Sequence, residues 1–254
     1  MTMSKKLIRK PWESAITEVK PNELITYGVN QRQIIREFSF EETVFFLLMG
    51  RKPNTKQRNM LRAVLTAYVS HGITGQSTLA VMQAADCGSD FLSALVAGFL
   101  VGSGKYHQGA LYGTMTEIQN MAKLSESQVL NDIRLRVAKG ERIIGFGHRF
   151  HSRDPRAETL IEIAAEEGFD GIHLRTAKLI EDVLITQKGI AMNLGAAAGG
   201  ILLDLGFDPA IAALIVVLGR STMYAAVYLE RLAQRKDPFQ KIEISDLEYE
   251  EDNT

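Results

Sequence analysis

Apolar residues recur at helical spacing along most of this chain, and this pattern constrains the fold more than any other feature. After Asn54, one segment has the i, i+3, i+4, i+7 spacing of a helix with a single buried face, carried by Leu61, Val64, Leu65 and Tyr68. Alternating apolar and polar residues bounded by Asn-Gly or Asp-Gly turns do not appear. We therefore predict an all-α fold.

Short capping sequences predict where several helices begin. A Ser followed three residues later by Glu or Gln forms a capping box, and Asp-Pro supplies an N-cap and a first helical residue. These signals occur at Ser39 with Glu42, Ser125 with Gln128 and Asp154 with Pro155, and the last helix should start near Pro209. The run from 90 to 102 is too apolar for a surface helix, so we predict a central helix there.

Composition limits the possible partners and compartments. The 254 residues are 46% hydrophobic, and 29 Lys and Arg against 30 Asp and Glu leave a formal net charge of -1. No global basic field exists to attract nucleic acid or an acidic membrane. The single cysteine, Cys87, excludes an internal disulfide and suits a reducing compartment, so we expect a cytoplasmic protein. Charged or polar residues interrupt the long apolar runs, and we expect no membrane anchor.

Three of the five histidines follow or lie in glycine-marked turns, and they are candidate site residues. The five are His71, His107, His148, His151 and His173. Taken one by one, each is more simply a structural or exposed histidine. No pair has the i, i+4 spacing of a helical zinc site and no cysteine or carboxylate completes a ligand set, so we expect no metal. The Gly-X-Gly before His148 lacks the remainder of a dinucleotide-binding fingerprint.

Longer motifs give these histidines a context. Gly145-Phe146-Gly147-His148-Arg149-Phe150, followed by Asp154-Pro155-Arg156-Ala157, resembles the GxGHRV…DPRA signature of citrate synthases. His107-Gln108-Gly109-Ala110 is similar to the HGGA motif of that family, and Ser70-His71-Gly72 is similar to its DHG or DHE element. Lys188 with Asn193, and Leu218-Gly219-Arg220-Ser221, resemble the K…NVD region and the LGRS or VSRA motif. The resemblance spans roughly residues 25 to 240 and is greatest to the lyase module of ATP-citrate lyases and to short stand-alone citryl-CoA lyases.

The resemblance implies a citrate-synthase-like fold with two helical lobes and the active site between them. The large lobe would comprise residues 1–110 and 206–254, and the small lobe residues 111–205. A homodimer or a higher assembly is expected, because sites of this family borrow a residue across the interface.

The same resemblance implies roles for individual residues. His107 and His148 would be catalytic: His107 would hydrogen-bond the thioester oxygen, and a base near His148 would take the hydroxyl proton during cleavage. The dicarboxylate would be held by His71, Arg156, Arg220 and Arg235, the last lent by the partner subunit. The coenzyme A thioester is expected as a substrate rather than as a permanently bound cofactor, and it would be bound by Gly145, Phe146, Gly147, Arg149, Lys188 and Asn193. For Arg156, Arg220 and Lys188, a solvated or interface-paired side chain is the ordinary alternative.

Gly195 departs from the family pattern. It stands where the NVD motif carries the catalytic aspartate, which removes the methyl proton of acetyl-CoA in synthases. A general base contributes about 10²–10⁴-fold to the rate, so citrate formation should suffer more than cleavage. Asp204 is the nearest downstream carboxylate, and we expect it to be a surface residue.

Four functions remain open on these grounds. The leading hypothesis is a carbon–carbon lyase that cleaves citryl-CoA or a related hydroxy-dicarboxyl-CoA to acetyl-CoA and a 2-oxo acid such as oxaloacetate. The alternatives are a citrate-synthase-type condensing enzyme with an altered substrate, and a non-catalytic acyl-CoA-binding homologue. Hydrolysis of an acyl-CoA without carbon–carbon cleavage is a further option.

Overall fold

A computed structural model of the protein describes residues 13–234 and 243–248. The chain divides into two compact units, Met1–Leu61 and Arg62–Thr254. The helical class predicted from the sequence is confirmed. The predicted division into residues 1–110 with 206–254 and residues 111–205 remains a prediction.

The described part of the first unit contains three short strands, two helices and the start of a third helix. Their bounds are β1 Thr17–Lys20, β2 Glu23–Thr26, β3 Val29–Asn30, α1 Gln31–Glu37, α2 Phe40–Met49 and α3 Thr55–Ala67. The remaining helices belong to the second unit. They are α4 Gln76–Asp86, α5 Phe91–Gly102, α6 Ala110–Met121, α7 Glu126–Ala138, α8 Pro155–Glu166, α9 Ile172–Lys188, α10 Leu194–Asp204 and α11 Ala212–Gln234.

The small antiparallel sheet β1-β2-β3 is absent from the sequence-based prediction. Its two turns use Pro21-Asn22 and Tyr27-Gly28, with left-handed backbone at Asn22 (φ 60°), Tyr27 (φ 45°) and Gly28 (φ 81°). Asn-Gly and Asp-Gly are the commonest hairpin signals, but here Asn22 alone supplies the positive φ of the first turn, and Tyr27 with Gly28 supplies that of the second. The strands are short and mostly exposed, so no apolar alternation marked them.

The predicted helix starts agree with the structure because each is fixed by a local hydrogen bond. Both capping boxes form, at Ser39 with Glu42 and at Ser125 with Gln128. The N-cap Asp154 accepts from the Arg156 N–H at 3.1 Å, with Pro155 as the first helical residue. A 3₁₀ turn, Pro209–Ile211, precedes α11.

The core of the second unit is built around α10. Nearly every residue of this helix is buried, and it packs against α6, α8 and α9. Small residues allow this close packing: a Cβ at Gly200 would lie 3.0 Å from the Leu174 Cα of α9. The small-residue run therefore serves helix packing, apart from its first residues near Gly195.

The prediction of a fully central α5 is wrong for the single chain. Only Ala94, Gly98 and Gly102 are buried on this helix, whereas Leu92 and Leu100 are 66% and 69% exposed. The buried stripe consists of small residues because α4 and α11 approach closely there. The large apolar side chains of α5 thus face outward.

Together with its preceding turn, α11 is long and apolar enough to cross a membrane by length and composition alone. It packs against α4, α5 and α6, and its charged Arg220 is buried at 4% exposure. Core helices of soluble proteins pass the same test of length and hydropathy. These contacts and the buried Arg220 are typical of a core helix.

The expectation that Asp204 lies on the surface is wrong. Its side chain is 6% exposed and accepts hydrogen bonds from the backbone N–H groups of His173 (3.0 Å) and Leu174 (2.9 Å). His173 Nδ1 lies 2.8 Å from the same carboxylate. Asp204 therefore caps the N-terminus of α9 from the end of α10, where a negative charge also complements the helix dipole.

Removing this cap should destabilise the second unit. Asp204→Ala leaves two backbone donors of α9 without their acceptor, and unsatisfied buried donors cost about 1–3 kcal/mol each. We expect the free energy of unfolding, measured by urea denaturation, to fall by about 2–6 kcal/mol, the cost of the two donors together.

The matched control is Asp170→Ala, since the Asp170 side chain is 59% exposed and pairs with Arg175 at 3.4 Å. Exposed ion pairs contribute about 0–1 kcal/mol. Equal unfolding midpoints for the two variants would contradict the capping role of Asp204.

Candidate active site

A cavity of about 530 Å³ in the second unit brings together most of the predicted site residues. The predicted residues that line it are His71, His107, Gly147, His148, Arg149, Arg156, Asn193 and Arg220. Gly195, Tyr68 and His151 line it as well. No Asp or Glu occurs among the described residues of this lining, whereas three of them are arginines.

The glycine loop at 145–147 is fixed by hydrogen bonds to the segment that precedes α10. The Gly147 N–H donates to the Ala191 carbonyl at 2.8 Å, and the Asn193 N–H donates to the Gly145 carbonyl at 3.0 Å. The Asn193 side chain donates to the Gly147 carbonyl at 2.9 Å and accepts from the Gly195 N–H at 2.8 Å. Gly145 (φ 91°) and Gly147 (φ 82°) both have positive φ. This backbone conformation favours glycine at the two positions.

Asp154 lies beneath the cavity and holds one of the predicted arginines. Its carboxylate accepts from Arg156 Nε at 2.9 Å and Arg156 Nη2 at 2.8 Å, and from the Leu194 N–H at 3.0 Å. Burial acts to raise the pKa of Asp154, but the Arg156 guanidinium and the Leu194 amide outweigh it, so the pKa is lowered. Asp154 therefore stays ionised, and it couples the first turns of α8 and α10.

Arg220 is the most unusual group in the cavity. It is 4% exposed, and its Nε and Nη1 have no hydrogen-bond partner among residues 13–234 and 243–248. Burial and the charge of Arg156 lower its pKa to about 10, which still leaves it protonated at neutral pH. An unpaired buried charge is costly, so an anion bound beside Arg220 would stabilise the site.

Tyr68, at the end of the segment with helical spacing, packs against the same part of α11. A Cβ added at Gly219 would lie 2.6 Å from the Tyr68 Cβ. Burial raises the pKa of the Tyr68 phenol despite the opposing charge of Arg220, so the hydroxyl keeps its proton. The helical spacing predicts only a core position for Tyr68, whereas its side chain also lines the cavity.

His71 occupies the turn between α3 and α4. Its Nδ1 lies 3.0 Å from the Gly72 carbonyl, and its buried Nε2 has no partner within the described chain. Burial, followed by the charge of Arg220, lowers the pKa of His71 to about 4. His71 is therefore a neutral imidazole at pH 7.

His107 is held by a residue that the sequence analysis missed. The Ser77 hydroxyl, fully buried in the first turn of α4, lies 2.7 Å from His107 Nε2. The imidazoles of His71 and His107 stack at 5.7 Å between centroids. Burial and the charges of Arg220 and Arg149 lower the pKa of His107. Ser77 and His107 are thirty positions apart in the chain, so no local sequence pattern predicts their contact.

His148 lies at the exposed edge of the cavity. Its Nδ1 accepts from the Phe150 N–H at 3.2 Å, and its ring stacks on His151 at 4.6 Å. Burial lowers the pKa of His148, while the nearby Asp154 carboxylate opposes this effect. His148 is thus also favoured as a neutral ring.

A second cavity of about 510 Å³ shares Gly147, His148 and Arg149 with the first. Phe146 and Lys188, both predicted to bind coenzyme A, line it too. Gly145 lies under the loop, where an added Cβ would be 2.5 Å from the Thr114 Cγ2. The missing side chain thus allows close packing of the loop on α6, and the role of Gly145 in binding coenzyme A stays a prediction.

Two further predictions concern residues at the margins of the site. Arg235 lies outside the residues that the structure describes. Gly195 lines the main cavity, and a Cβ there would meet Asn193 Oδ1 at 3.0 Å. Among the described residues, no group of three or more His, Cys, Asp or Glu side chains is placed to hold a metal ion.

Comparison with known proteins places this site in a family. The model of the citrate synthase C-terminal domain matches residues 48–243. The structure of citryl-CoA lyase from Hydrogenobacter thermophilus has a TM-score of 0.85, with 26% identity over 96% of both chains. ATP citrate lyase from Methanothrix soehngenii shares the fold, with a TM-score of 0.84 and 20% identity over 96% of this chain and 42% of that chain.

The curated citrate synthases that match this chain are longer proteins. The citrate synthase of Heyndrickxia coagulans is 28% identical over 181 residues, which cover 68% of this chain and 47% of that protein. The chain thus spans about half the length of the curated citrate synthases it matches. Because the family model covers most of the chain and the motif residues converge on one cavity, this protein belongs to the citrate synthase family.

Proposed function

We propose that this protein is a carbon–carbon lyase that cleaves citryl-CoA, or a related hydroxy-dicarboxyl-CoA, to acetyl-CoA and oxaloacetate or a similar 2-oxo acid. The observation that carries the proposal is the lining of the main cavity. It combines the unpaired cation of Arg220 with neutral histidines and contains no carboxylate among its described residues. Such a cavity suits a polyanion whose hydroxyl loses a proton, and it lacks the base that condensation requires.

The proposed substrate fits the charges and dimensions of the two cavities. Arg220 and the Asp154-bound Arg156 offer forked donors that match carboxylates. The second cavity, with Arg149 and Lys188, would take the coenzyme A moiety, and its shared wall at His148 would bring the thioester to the first cavity. The like-sized citryl-CoA lyase relative, matched over 96% of both chains, supports cleavage over condensation.

We also propose a homodimer. Leu92, Val96 and Leu100 form an exposed apolar face on α5, at 66%, 46% and 69% exposure. A second copy of the chain would cover this face, as apolar patches of this kind favour association. In such a dimer Arg235, which directly follows α11 in the sequence, would reach the partner's site.

The direct test of the proposed reaction is incubation of purified protein with citryl-CoA. We expect acetyl-CoA and oxaloacetate in equal amounts, measured by chromatography and by reduction of oxaloacetate with malate dehydrogenase. Release of free coenzyme A without oxaloacetate would instead indicate thioester hydrolysis. Tight binding of coenzyme A with no product would indicate the non-catalytic alternative.

Condensation with an altered substrate is the second candidate, and the curated citrate synthase relatives favour it. Gly195→Asp restores a carboxylate at the cavity wall, where Asn193 must give by a few tenths of an ångström. We expect condensation of acetyl-CoA with oxaloacetate to rise at least about 10-fold, a fraction of the 10²–10⁴-fold of a well-placed base. Gly195→Asn is the matched control, because the Asn side chain has the same size as Asp but its amide cannot take the methyl proton of acetyl-CoA. Equal condensation rates in a folded Gly195→Asp variant and in wild type would contradict the proposal that the missing carboxylate at position 195 limits condensation.

Loss of Arg220 should weaken anion binding without lowering the stability of the protein. Arg220→Met removes an unpaired buried charge, so the free energy of unfolding without ligand should stay the same or rise. Citrate binding should weaken by about 10–100-fold, since a hydrogen bond to a charged group contributes roughly 1.5–3 kcal/mol. Calorimetric titration and urea denaturation measure the two effects.

The control is Arg175→Met, since the Arg175 side chain is 54% exposed and lies outside the cavity. It should leave citrate binding unchanged. A large loss of stability in Arg220→Met with unchanged citrate affinity would assign Arg220 a structural role instead.

A further inference from the structure

The hydroxyl of Tyr68 is a polar group in the main cavity that the protein itself does not satisfy. Tyr68 is 7% exposed, and its hydroxyl has no hydrogen-bond partner among residues 13–234 and 243–248. The oxygen is not one of the fully enclosed side-chain atoms without partners, so it keeps some accessible surface. Because Tyr68 lines the main cavity, this surface opens into that cavity. A buried tyrosine hydroxyl usually has a hydrogen-bond partner, and a ligand in the cavity can supply the one that the chain does not.

The position of Tyr68 is set by packing against α11. A Cβ added at Gly219 would lie 2.6 Å from the Tyr68 Cβ and 3.1 Å from the Tyr68 carbonyl oxygen. This close approach depends on the backbone and the Cβ of Tyr68, and the hydroxyl takes no part in it. Since Gly219 directly precedes Arg220, the same contact places Tyr68 beside the part of α11 that carries the buried guanidinium.

Electrostatic effects confirm that Tyr68 and Arg220 are neighbours. Burial raises the pKa of the Tyr68 phenol, and Arg220 is the first of the charged groups that act on it, followed by Arg156 and Asp154. Tyr68 is in turn one of the groups that act on the pKa of Arg220, after burial and Arg156. A phenol that keeps its proton is neutral and cannot serve as the counter-ion of Arg220. Both side chains therefore bring unsatisfied donors to the same part of the cavity.

A single carboxylate can satisfy both donors. Tyr68 has one O–H to donate, and Nε and Nη1 of Arg220 lack partners among the described residues. A carboxylate has two acceptor oxygens with about four lone-pair sites, so it can accept from a guanidinium and a hydroxyl at the same time. Its negative charge also compensates Arg220, which a ketone or hydroxyl oxygen does not do.

From this arrangement we propose that Tyr68 is a substrate-binding residue, whose hydroxyl donates to the same ligand carboxylate that Arg220 binds. The assignment rests on the proposed function, which supplies this carboxylate from the hydroxy-dicarboxyl-CoA substrate or its 2-oxo-acid product. It adds a neutral donor to a set that the family resemblance limits to histidines and arginines.

A neutral donor suits this position because of the charge already present. Three of the side chains that line the cavity are arginines. A further cation would raise the electrostatic cost of the empty cavity, whereas a hydroxyl adds a directed hydrogen bond without adding charge. Tyr68 thus contributes to carboxylate recognition and leaves the net charge of the cavity unchanged.

The first test measures citrate binding by calorimetric titration. Tyr68→Phe removes one oxygen and keeps the ring that packs on Gly219. We expect citrate to bind about 10–100-fold more weakly, the loss typical of a hydrogen bond to a charged group. The unfolding midpoint in urea should not fall, because the hydroxyl has no partner in the protein. Unchanged citrate affinity, or a Tyr68→Phe protein that fails to fold, would overturn the proposal.

Tyr228→Phe is the matched control. The Tyr228 hydroxyl donates to the Ser89 carbonyl at 2.9 Å, and Tyr228 lies outside the lining of the main cavity. This variant loses the same atom from another tyrosine and should leave citrate affinity unchanged. An equal loss of affinity in Tyr228→Phe and Tyr68→Phe would contradict a direct contact of Tyr68 with the ligand.

The second test identifies the ligand group that Tyr68 contacts. Tricarballylate has the three carboxylates of citrate but lacks its hydroxyl. If Tyr68 donates to a carboxylate, Tyr68→Phe should weaken the binding of both acids by the same factor. A loss confined to citrate would assign the contact to the substrate hydroxyl and overturn the proposal. Wild-type protein that binds neither acid would overturn it as well.

The third test asks whether Tyr68 and Arg220 bind the same carboxylate. In a double-mutant cycle with Arg220→Met, two donors to one carboxylate should be coupled. We expect the double variant to lose at least about 2-fold less citrate affinity than the product of the two single losses. Single losses that simply multiply would place the two donors on separate groups and contradict the shared carboxylate.

These binding measurements need no turnover, so they test the role of Tyr68 even if the protein fails to cleave citryl-CoA. In an active lyase, Tyr68→Phe should raise KM for citryl-CoA by about 10-fold or more with a smaller change in kcat, as expected for loss of an interaction made in the ground state and the transition state alike. An unchanged KM in a variant that cleaves citryl-CoA would overturn the assignment.

Discussion

The architecture of the site depends on the hydrogen bonds and the ion pair that the buried Asp154 carboxylate makes. It caps α8, grips the Arg156 guanidinium at two points and accepts the first N–H of α10. Two helices and Arg156, the arginine predicted to bind substrate, thereby share a single carboxylate. Because Arg156 compensates the charge of Asp154, the neighbouring Arg220 is left as a buried cation without a counter-ion among the described residues. The demand for an anionic ligand follows from this unequal pairing.

The neutral histidines follow from the same electrostatics. Arg220 lies close enough to lower the pKa of both His71 and His107, and burial acts in the same direction. A cavity that holds its positive charge on arginine therefore favours neutral histidines.

Much of the fold and site could be predicted because the signals are local. Asp154 with Pro155 and the two capping boxes act over two or three residues, so the sequence shows both partners side by side. The motif resemblance supplied His71, His107, Arg156 and Arg220, which one cavity brings together. Arg235 stays a prediction.

What the sequence could not show are contacts between distant positions. Ser77 reaches His107 across thirty residues, and Asp204 reaches His173 across thirty-one. Helix packing brings such partners together, and the local sequence pattern around each residue does not predict it.

Cleavage of citryl-CoA in D₂O, followed by NMR of the acetyl-CoA methyl group, tests the central claim most directly. We expect one deuterium in each acetyl-CoA formed, because water protonates the enolate carbon. Acetyl-CoA supplied alone should keep its three methyl protons, because no carboxylate base lies at the position of Gly195. Ready deuterium exchange of free acetyl-CoA, or no cleavage at all, would contradict a lyase built without that base.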